Sequence, residues 1–230
     1  MVDFSKFEEK IGVSFNNKDL LKQAFTHRSY INEHKKSKLS HNERLEFLGD
    51  AVLELVSSDY LYKKFPEEKE GILTAYRAAL VNTNTLAEAA QRIDMNSFVL
   101  LSKGEAKDTG RARSYILTDV FEAVIGAIFL DQGYEKSEKF ISDNLFHLTE
   151  DIVENRLWQD AKSYFQEKAQ EETGITPNYK TLKETGPDHS KVFVSGVFIG
   201  EELVAEGEGV SKQIAEQNAA KKGLENKGWE

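Results

Sequence analysis

The chain has 230 residues, enough for one large domain or two modest ones. Its longest nearly apolar stretch, residues 120–130, is far shorter than the roughly 20 residues that span a bilayer, so we expect no membrane partner. The first residues do not show the basic and then apolar pattern of a signal for export. The absence of cysteine excludes disulfides, thiolate zinc sites and cysteine nucleophiles, and it fits a cytoplasmic protein.

The formal net charge of −9 is an argument against a nucleic-acid partner, because proteins that bind phosphates are usually basic. Residues 160–230 are themselves acidic, with nine lysines against thirteen Asp and Glu. A basic face can still bind an anion when the charge is placed locally. Charge alone therefore does not decide the question.

The first two-thirds of the sequence is predicted to be helical. Leu45, Leu48, Val52 and Leu55 recur at spacings of three or four residues, which is the apolar stripe of an amphipathic helix. The same spacing recurs further along the chain, in residues 72–80 and 86–93. We predict an all-α domain over residues 1–153.

The last third is predicted to be a small α+β domain over residues 160–230, joined by a linker at 154–159. A helix is expected at about 161–172, stopped by Gly174. Residues 191–200 are β-branched and aromatic and end in glycine, and residues 202–206 follow as a hairpin partner would. Ser211 is a plausible N-cap for a final helix that reaches about Leu224. The order is therefore α-β-β-β-α.

Three carboxylates share one face of a predicted helix. Glu43, Glu46 and Asp50 lie at positions i, i+3 and i+7, flanked by the apolar stripe. Gly49 in the middle of this helix costs on the order of 1 kcal/mol relative to alanine. Its presence indicates that another backbone, an ion or a ligand approaches closely.

A second pair of carboxylates lies in a segment that is otherwise apolar on all sides. Asp119 and Glu122 are three residues apart there, and a helix of that composition is expected to be buried. Because a buried, unpaired carboxylate is expensive, a divalent cation shared by several carboxylates would resolve the cost. Oxygen ligands of this kind suit Mg²⁺ or Mn²⁺ rather than zinc.

Ordinary structural roles are the alternative for these residues. Asp119 could cap a helix with Glu122 closing the capping box, and Ser40 with Glu43 could form another. For Glu46 and Asp50 the alternative is a salt bridge to Arg44 or Lys63. Periodicity alone leaves both interpretations open.

The segment from Glu43 to Val52 resembles the signature of the ribonuclease III family. The resemblance extends to residues 25–30, 110–113 and 116–127, and the C-terminal unit resembles the double-stranded-RNA-binding domain of bacterial members. It implies a ribonuclease III-like helical nuclease domain followed by that domain. The implied activity is Mg²⁺-dependent hydrolysis of double-stranded RNA by a homodimer, with Mn²⁺ as a substitute. Products would carry 5′-phosphates and short 3′ overhangs, and the substrates would be rRNA, tRNA and mRNA precursors.

The resemblance also implies roles for single residues. Glu46, Asp119 and Glu122 match the metal ligands, and Asp50 completes the acidic cluster and is counted with Glu122 as catalytic. Glu43 matches a family carboxylate near the dimer and RNA surface, and it is included as a third catalytic candidate. Phe47 matches the aromatic residue that enters the partner subunit. Candidate RNA contacts in the second domain are Gln166, Glu167, His189, Ser190, Ser211, Lys212 and Gln213.

Two features of the sequence bear on the strength of RNA binding and on whether the protein is catalytic. Gln213 and Glu216 stand where the family often has lysines, which puts the strength of RNA binding in doubt. A non-catalytic RNA-binding protein would be favoured by loss of Asp50 or Glu122, and both are present. A purely structural dimer would have no use for an acidic cluster beside Gly49.

Overall fold

Two compact units divide the chain in the computed structural model, residues 1–158 and residues 159–230. The structure describes residues 2–35, 37–107, 110–187 and 191–229. The segment expected to be a linker contains Trp158, whose ring centroid lies 5.2 Å from that of Tyr76. Trp158 therefore packs against the first unit.

The regular secondary structure described in the first unit is helical, apart from one parallel bridge between Thr26 and Leu100. Three short 3-10 helices occur at Met95–Ser97, Glu105–Lys107 and Phe146–Leu148. The α-helices are α1 (Ser5–Ile11), α2 (Lys18–Ala24), α3 (Arg28–Glu33), α4 (Glu43–Lys64), α5 (Glu70–Leu80), α6 (Thr83–Arg92), α7 (Arg111–Gln132), α8 (Tyr134–Leu145) and α9 (Thr149–Glu154).

Helix α7 runs through the core of this unit, as its apolar composition predicts. Its residues 116–118, 120–121 and 123–128 are buried, whereas Asp119 and Glu122 are only half-buried. Helices α4 and α7 each have 22 residues, but no helix in the described ranges is long and apolar enough to cross a membrane.

The apolar stripe of α4 differs from the predicted one at Leu55. Leu45 and Val52 are buried as expected, but the stripe continues through Leu53 and Val56, while the side chain of Leu55 is 58% exposed. The reason is the helical period of 3.6 residues, which turns position 55 away from the face that carries Leu45 and Val52.

The second unit has the predicted α-β-β-β-α order. It consists of α10 (Ala161–Thr173), β1 (Asn178–Thr185), β2 (Val192–Ile199), β3 (Glu202–Gly209) and α11 (Lys212–Lys227). Gly174 ends α10 in the left-handed conformation, with φ of 70°. Ser211 caps α11 as expected, its side chain accepting from the N–H of Ile214 at 3.2 Å. Helix α11 continues three residues beyond the predicted end at Leu224.

The three strands form an antiparallel sheet in the order β1-β2-β3. Both helices lie on one face of this sheet, and the core between them contains Phe165, Ala169, Val197, Ala205 and Ala219. The predicted fold class, a helical domain followed by a small α+β domain, is therefore confirmed.

Candidate active site and nucleic-acid interface

Helices α4 and α7 touch through their backbones at two glycines. A Cβ on Gly49 would lie 1.7 Å from the carbonyl oxygen of Glu122, and a Cβ on Gly126 would lie 2.2 Å from the carbonyl oxygen of Leu45. Only glycine fits at either position without separating the helices. Of the three possibilities the sequence left open at Gly49, the close neighbour is another backbone.

This crossing brings the acidic residues of both helices together. Glu46 and Asp50 lie one turn apart on α4, on either side of Gly49, and Glu122 lies on α7 against that glycine. Glu46, Asp119 and Glu122 are half-buried and Asp50 is exposed. We call these four side chains the acidic cluster.

The alternative structural roles are excluded for the acidic cluster. Asp119 lies well inside α7, which begins at Arg111, so Asp119 is not a helix cap. Lys63 pairs with Asp59 at 2.6 Å. In the described ranges, no salt bridge reaches any of the four carboxylates. Half-buried carboxylates without a cationic partner are energetically costly.

The energetic cost of burying these charges is reflected in the raised pKa values of Glu46, Asp119 and Glu122. Burial, followed by the charges of Asp50, Asp119 and Glu46, raises the pKa of Glu122 from 4.5 to about 8. Burial raises the pKa of Glu46 as well, with the charge of Asp119 as the next cause. The pKa of Asp119 is also raised, first by burial and then by the charge of Glu43, although Arg28 opposes the shift.

Glu43 lies in a different setting from the cluster. It is the first residue of α4, its side chain is 48% exposed, and it lies 3.6 Å from Arg28 Nη1 and 3.7 Å from His41 Nδ1. The N-cap of α4 is Asn42, so the capping box between Ser40 and Glu43, the alternative structural role for Glu43, does not form. Arg28 lies in the segment 25–30 that resembles the family, but the sequence analysis assigned it no role. The fold places it beside the carboxylates as the first residue of α3.

The donor set of the acidic cluster suits a divalent cation. Its atoms are all carboxylate oxygens, the ligands that Mg²⁺ and Mn²⁺ prefer. Among the described residues, however, no three Asp, Glu or His side chains converge closely enough to hold one ion together. The chemistry of the residues fits such an ion, whereas their arrangement is not that of a closed metal site.

Phe47 projects into solvent next to the acidic cluster. Its side chain is 81% exposed, the largest exposed fraction among the large hydrophobic residues of the described chain. Leu55 and Tyr62 follow it along α4 and are 58% and 72% exposed. The three are eight and seven residues apart, a spacing that keeps them on one side of the helix and that the sequence prediction did not use.

In the second unit, the candidate RNA-contacting residues lie at two places. Gln166 and Glu167 are exposed on α10. Lys212 and Gln213 are exposed in the first turn of α11, next to the capping Ser211. The remaining two candidates, His189 and Ser190, lie outside the described residues.

Two lysines of this unit are engaged by acidic side chains of the same unit. Lys212 Nζ lies 3.0 Å from Glu184 Oε1 and 5.7 Å from the centre of the Phe193 ring. Lys162 Nζ lies 2.6 Å from Glu216 Oε2 and 4.7 Å from the centre of the Tyr179 ring. The side chain of Lys212 is nevertheless 58% exposed, so an incoming phosphate can reach it.

Comparison with known proteins agrees with this architecture. Residues 17–148 match the family model described as ribonuclease-III-like, and residues 161–227 match the double-stranded RNA binding motif. The chain is 45% identical to ribonuclease 3 of Enterococcus faecalis over 96% of both chains. It is 44% identical to ribonuclease 3 of a Nitratiruptor species, over 97% of this chain and 96% of that one.

Solved structures give the same result for the first unit. The nuclease domain of ribonuclease III from Campylobacter jejuni superposes with a TM-score of 0.56 at 40% identity, covering 62% of this chain and 98% of that one. With a family model over more than half of its length and relatives of this similarity over nearly all of it, the chain belongs to the ribonuclease III family.

Proposed function

We propose that this protein is an endoribonuclease that hydrolyses double-stranded RNA at the acidic cluster and depends on Mg²⁺, with Mn²⁺ as a substitute. One observation carries the proposal: Glu122 is half-buried, has no cationic partner among the described residues, and has its pKa raised to about 8 beside three other carboxylates. Strongly perturbed groups of this kind are characteristic of functional sites. Membership of the family and the RNA-binding motif supply the substrate class.

The four carboxylates would have different roles in metal binding and catalysis. Glu46, Asp119 and Glu122 would hold the cation, and Asp50, exposed at the edge of the cluster, would complete its surroundings and act with Glu122 in catalysis. When bound, Mg²⁺ would activate a water and neutralise charge on the phosphate. The backbone contact at Gly49 fixes the two helices, so the carboxylates are held on rigid elements rather than on loops.

Glu43 is the third catalytic candidate, and its contacts favour a supporting role. It lies between Arg28 and His41 on the exposed side of the cluster. In that position it holds Arg28 near Glu46 and Asp119, whose carboxylates Arg28 stabilises. We propose that Glu43 organises this cation beside the reacting phosphate.

We propose that two copies associate through Phe47. An exposed phenylalanine beside an acidic cluster is costly in water and is the kind of residue that anchors an interface. The similar Campylobacter jejuni structure is described as having a region involved in dimer formation. A homodimer would carry two clusters, one for each strand, and would leave 5′-phosphates and short 3′ overhangs. The natural substrates would be precursors of rRNA, tRNA and mRNA.

The second unit would bind the RNA duplex. Gln166 and Glu167 on α10 can reach 2′-hydroxyls, and the N–H groups at the start of α11, with Lys212, can hold phosphates. His189 and Ser190, which precede β2 in the sequence, are proposed to contact the RNA as well. Domains of this type read the shape of A-form RNA rather than its sequence.

Cleavage of a long duplex RNA, with and without Mg²⁺, tests the proposal. We expect fragments with 5′-phosphates from the wild type with Mg²⁺ and none in EDTA. In the matched variant Glu122→Gln the amide keeps the size of the side chain but not its charge, so cutting should stop while a gel-shift assay still shows duplex binding. Binding without cutting by the wild type would instead favour a non-catalytic RNA-binding protein.

A further inference from the structure

The face of the sheet that points away from α10 and α11 carries an apolar cluster. A Cβ on Gly196 would meet side chains of all three strands: Leu203 at 2.7 Å, Leu182 at 3.0 Å and Phe198 at 3.0 Å. These side chains therefore close over Gly196 on one side of the sheet. Val197, which follows Gly196, points to the opposite side and is buried in the core. We call the side that carries Leu182, Phe198 and Leu203 the outer sheet face.

The apolar cluster is open to solvent. Leu182 and Leu203 are each 43% exposed. Contact among the three side chains does not remove them from water, and a contiguous apolar patch of this kind is characteristic of an interaction surface.

Charges of opposite sign flank the cluster on its two sides. In the register of the sheet, Lys180 of β1 and Glu206 of β3 both pair with Gly196. Lys183 and Glu208 pair with Val194 in the same way. Because side chains of one row point to the same side of a sheet, each row runs from lysine through an apolar centre to glutamate.

These charges have no ionic partner within the part of the chain that the structure describes. Among the described residues, neither the two lysines nor the two glutamates take part in a salt bridge. Neighbouring strands lie about 4.8 Å apart, so the backbones at the two ends of one row are about 10 Å apart. Lys180 Nζ lies 5.0 Å from the centre of the Phe198 ring on the central strand and makes no salt bridge to Glu206 within the described chain. The outer sheet face therefore carries a basic stripe, an apolar stripe and an acidic stripe, side by side.

We propose that this face binds the same face of a second copy of the chain. A two-fold axis along the strands would place β1 of one copy over β3 of the other, because this rotation exchanges the two edges while keeping each row in place. Lys180 then faces Glu206 of the partner subunit, and Lys183 faces Glu208 of the partner subunit. The apolar stripes meet in the centre.

Charge selects this arrangement over the other face-to-face pairing. A two-fold axis across the strands would place β1 on β1 and β3 on β3, with lysine against lysine and glutamate against glutamate. An RNA duplex is a poor occupant, because the acidic stripe repels phosphates. The contact also leaves α10 and the start of α11 free, since both helices lie on the opposite face of the sheet.

Carbodiimide cross-linking of the wild-type chain tests the pairing directly, since it joins a lysine to a carboxylate only where the two touch. We mix ¹⁵N-labelled and unlabelled protein, so that a link between two copies gives peptides of mixed label. Mixed-label links from Lys180 to Glu206 and from Lys183 to Glu208 are expected. Their absence, with mixed-label links formed elsewhere in the chain, overturns the proposal.

Charge reversal supplies a second test that a merely unfolded variant cannot mimic. It is run by sedimentation in the Phe47→Ala background, so that the association proposed for the first unit does not mask the result. Lys180→Glu with Lys183→Glu should weaken association at least about tenfold, because several attractive pairs become repulsive. Adding Glu206→Lys and Glu208→Lys to the same chain should restore it. A fourfold variant that melts like the wild type but does not associate contradicts the proposed arrangement.

Discussion

The carbonyl oxygen of Glu122 occupies the space that a Cβ on Gly49 would need. A Cβ there would lie 1.7 Å from this oxygen and 2.9 Å from the backbone nitrogen of Gly126, so α4 and α7 meet backbone to backbone. The atoms that block the Cβ belong to the main chain and cannot rotate aside. The same contact sets the distance between the carboxylates of the two helices.

We therefore expect Gly49→Ala to destabilise the protein by about 3 kcal/mol or more, because the methyl group must push the helices apart. Urea unfolding measures the loss. Gly71→Ala is the matched control: Gly71 lies in α5, is exposed, and has nothing within 4 Å of its Cβ position. Alanine should be neutral there or stabilising by up to about 1 kcal/mol. Equal effects of the two substitutions would contradict the close crossing.

The sequence was sufficient to predict this crossing in part. A glycine inside an otherwise regular helix indicated a close neighbour at Gly49, and the apolar surroundings of Asp119 and Glu122 indicated a buried helix. Neither pattern identified the partner. That Gly49 meets Glu122 and Gly126 depends on the crossing of α4 and α7, which arises from packing and leaves no signal in either segment alone.

Contacts between residues distant in sequence are what the sequence prediction missed. The salt bridge of Lys212 with Glu184 depends on the register that brings the end of β1 near the start of α11. The placement of Arg28 beside Glu43 depends on the path of the chain between α3 and α4. Local patterns, by contrast, correctly predicted Ser211 as the N-cap of α11 and Gly174 as the residue that ends α10. A helix cap involves only residues that are neighbours in sequence.

Glu122 should make the stability of the protein depend on pH. Its pKa is raised from 4.5 to about 8, so between these values the folded chain holds a proton that the unfolded chain has lost. In EDTA, the free energy of unfolding should therefore fall as pH rises through this window and level off above it. Glu122→Gln should raise that free energy by on the order of 2 kcal/mol at pH about 8.5 and change it little at pH about 4.

Chemical denaturation at the two pH values measures this difference. Glu9→Gln, in an exposed position on α1, is the matched control, and it should leave the pH profile of the wild type unchanged. If Glu122→Gln gave the same gain at both pH values, the carboxylate of Glu122 would not be the source of the dependence.

Divalent cations should stabilise the first unit by relieving repulsion within the acidic cluster. A ligand that binds only the folded state adds about 2.7 kcal/mol at 100 times its Kd. Thermal melting with and without Mg²⁺ should show an increase for the wild type and a much smaller one for Asp119→Asn, which loses one charged ligand. The control Asp143→Asn removes an exposed carboxylate that pairs with Lys139 on α8, and it should respond to Mg²⁺ as the wild type does. An equal response of Asp119→Asn and the wild type would count against the site.

Phe47→Ala should weaken self-association, because it removes the most exposed large apolar side chain in the described chain. We expect at least a tenfold rise in the dissociation constant, corresponding to about 1.4 kcal/mol. Leu157→Ala is the control, since Leu157 is 57% exposed but lies after α9, away from α4 in the sequence. Sedimentation velocity over a range of concentrations compares the variants. A wild type that stays monomeric at micromolar concentration would contradict the proposed homodimer, in which each copy supplies one acidic cluster for one RNA strand.

Lys212 and Lys227 form a matched pair for testing how the acidic second unit binds RNA. Both lie on α11, at its first and last residues, and each has one surface salt bridge: Lys212 with Glu184 at 3.0 Å and Lys227 with Glu202 at 2.9 Å. Truncating either lysine should therefore cost the fold a similar, small amount, at most about 1 kcal/mol. Only Lys212 lies beside the free N–H groups at the start of the helix, where a phosphate can bind.

We therefore expect Lys212→Ala to reduce the log–log salt dependence of duplex binding by about 1 and Lys227→Ala to leave it unchanged. Wild-type affinity should fall steeply with salt despite the net negative charge, because counterion release depends on the phosphates contacted and not on the total charge. Glu184→Gln adds a third variant: it frees Lys212 from its intramolecular partner, so binding should tighten modestly. Titrations of one duplex at several salt concentrations compare all four proteins. If Lys212→Ala and Lys227→Ala both kept the wild-type slope, the start of α11 would not lie on the phosphates.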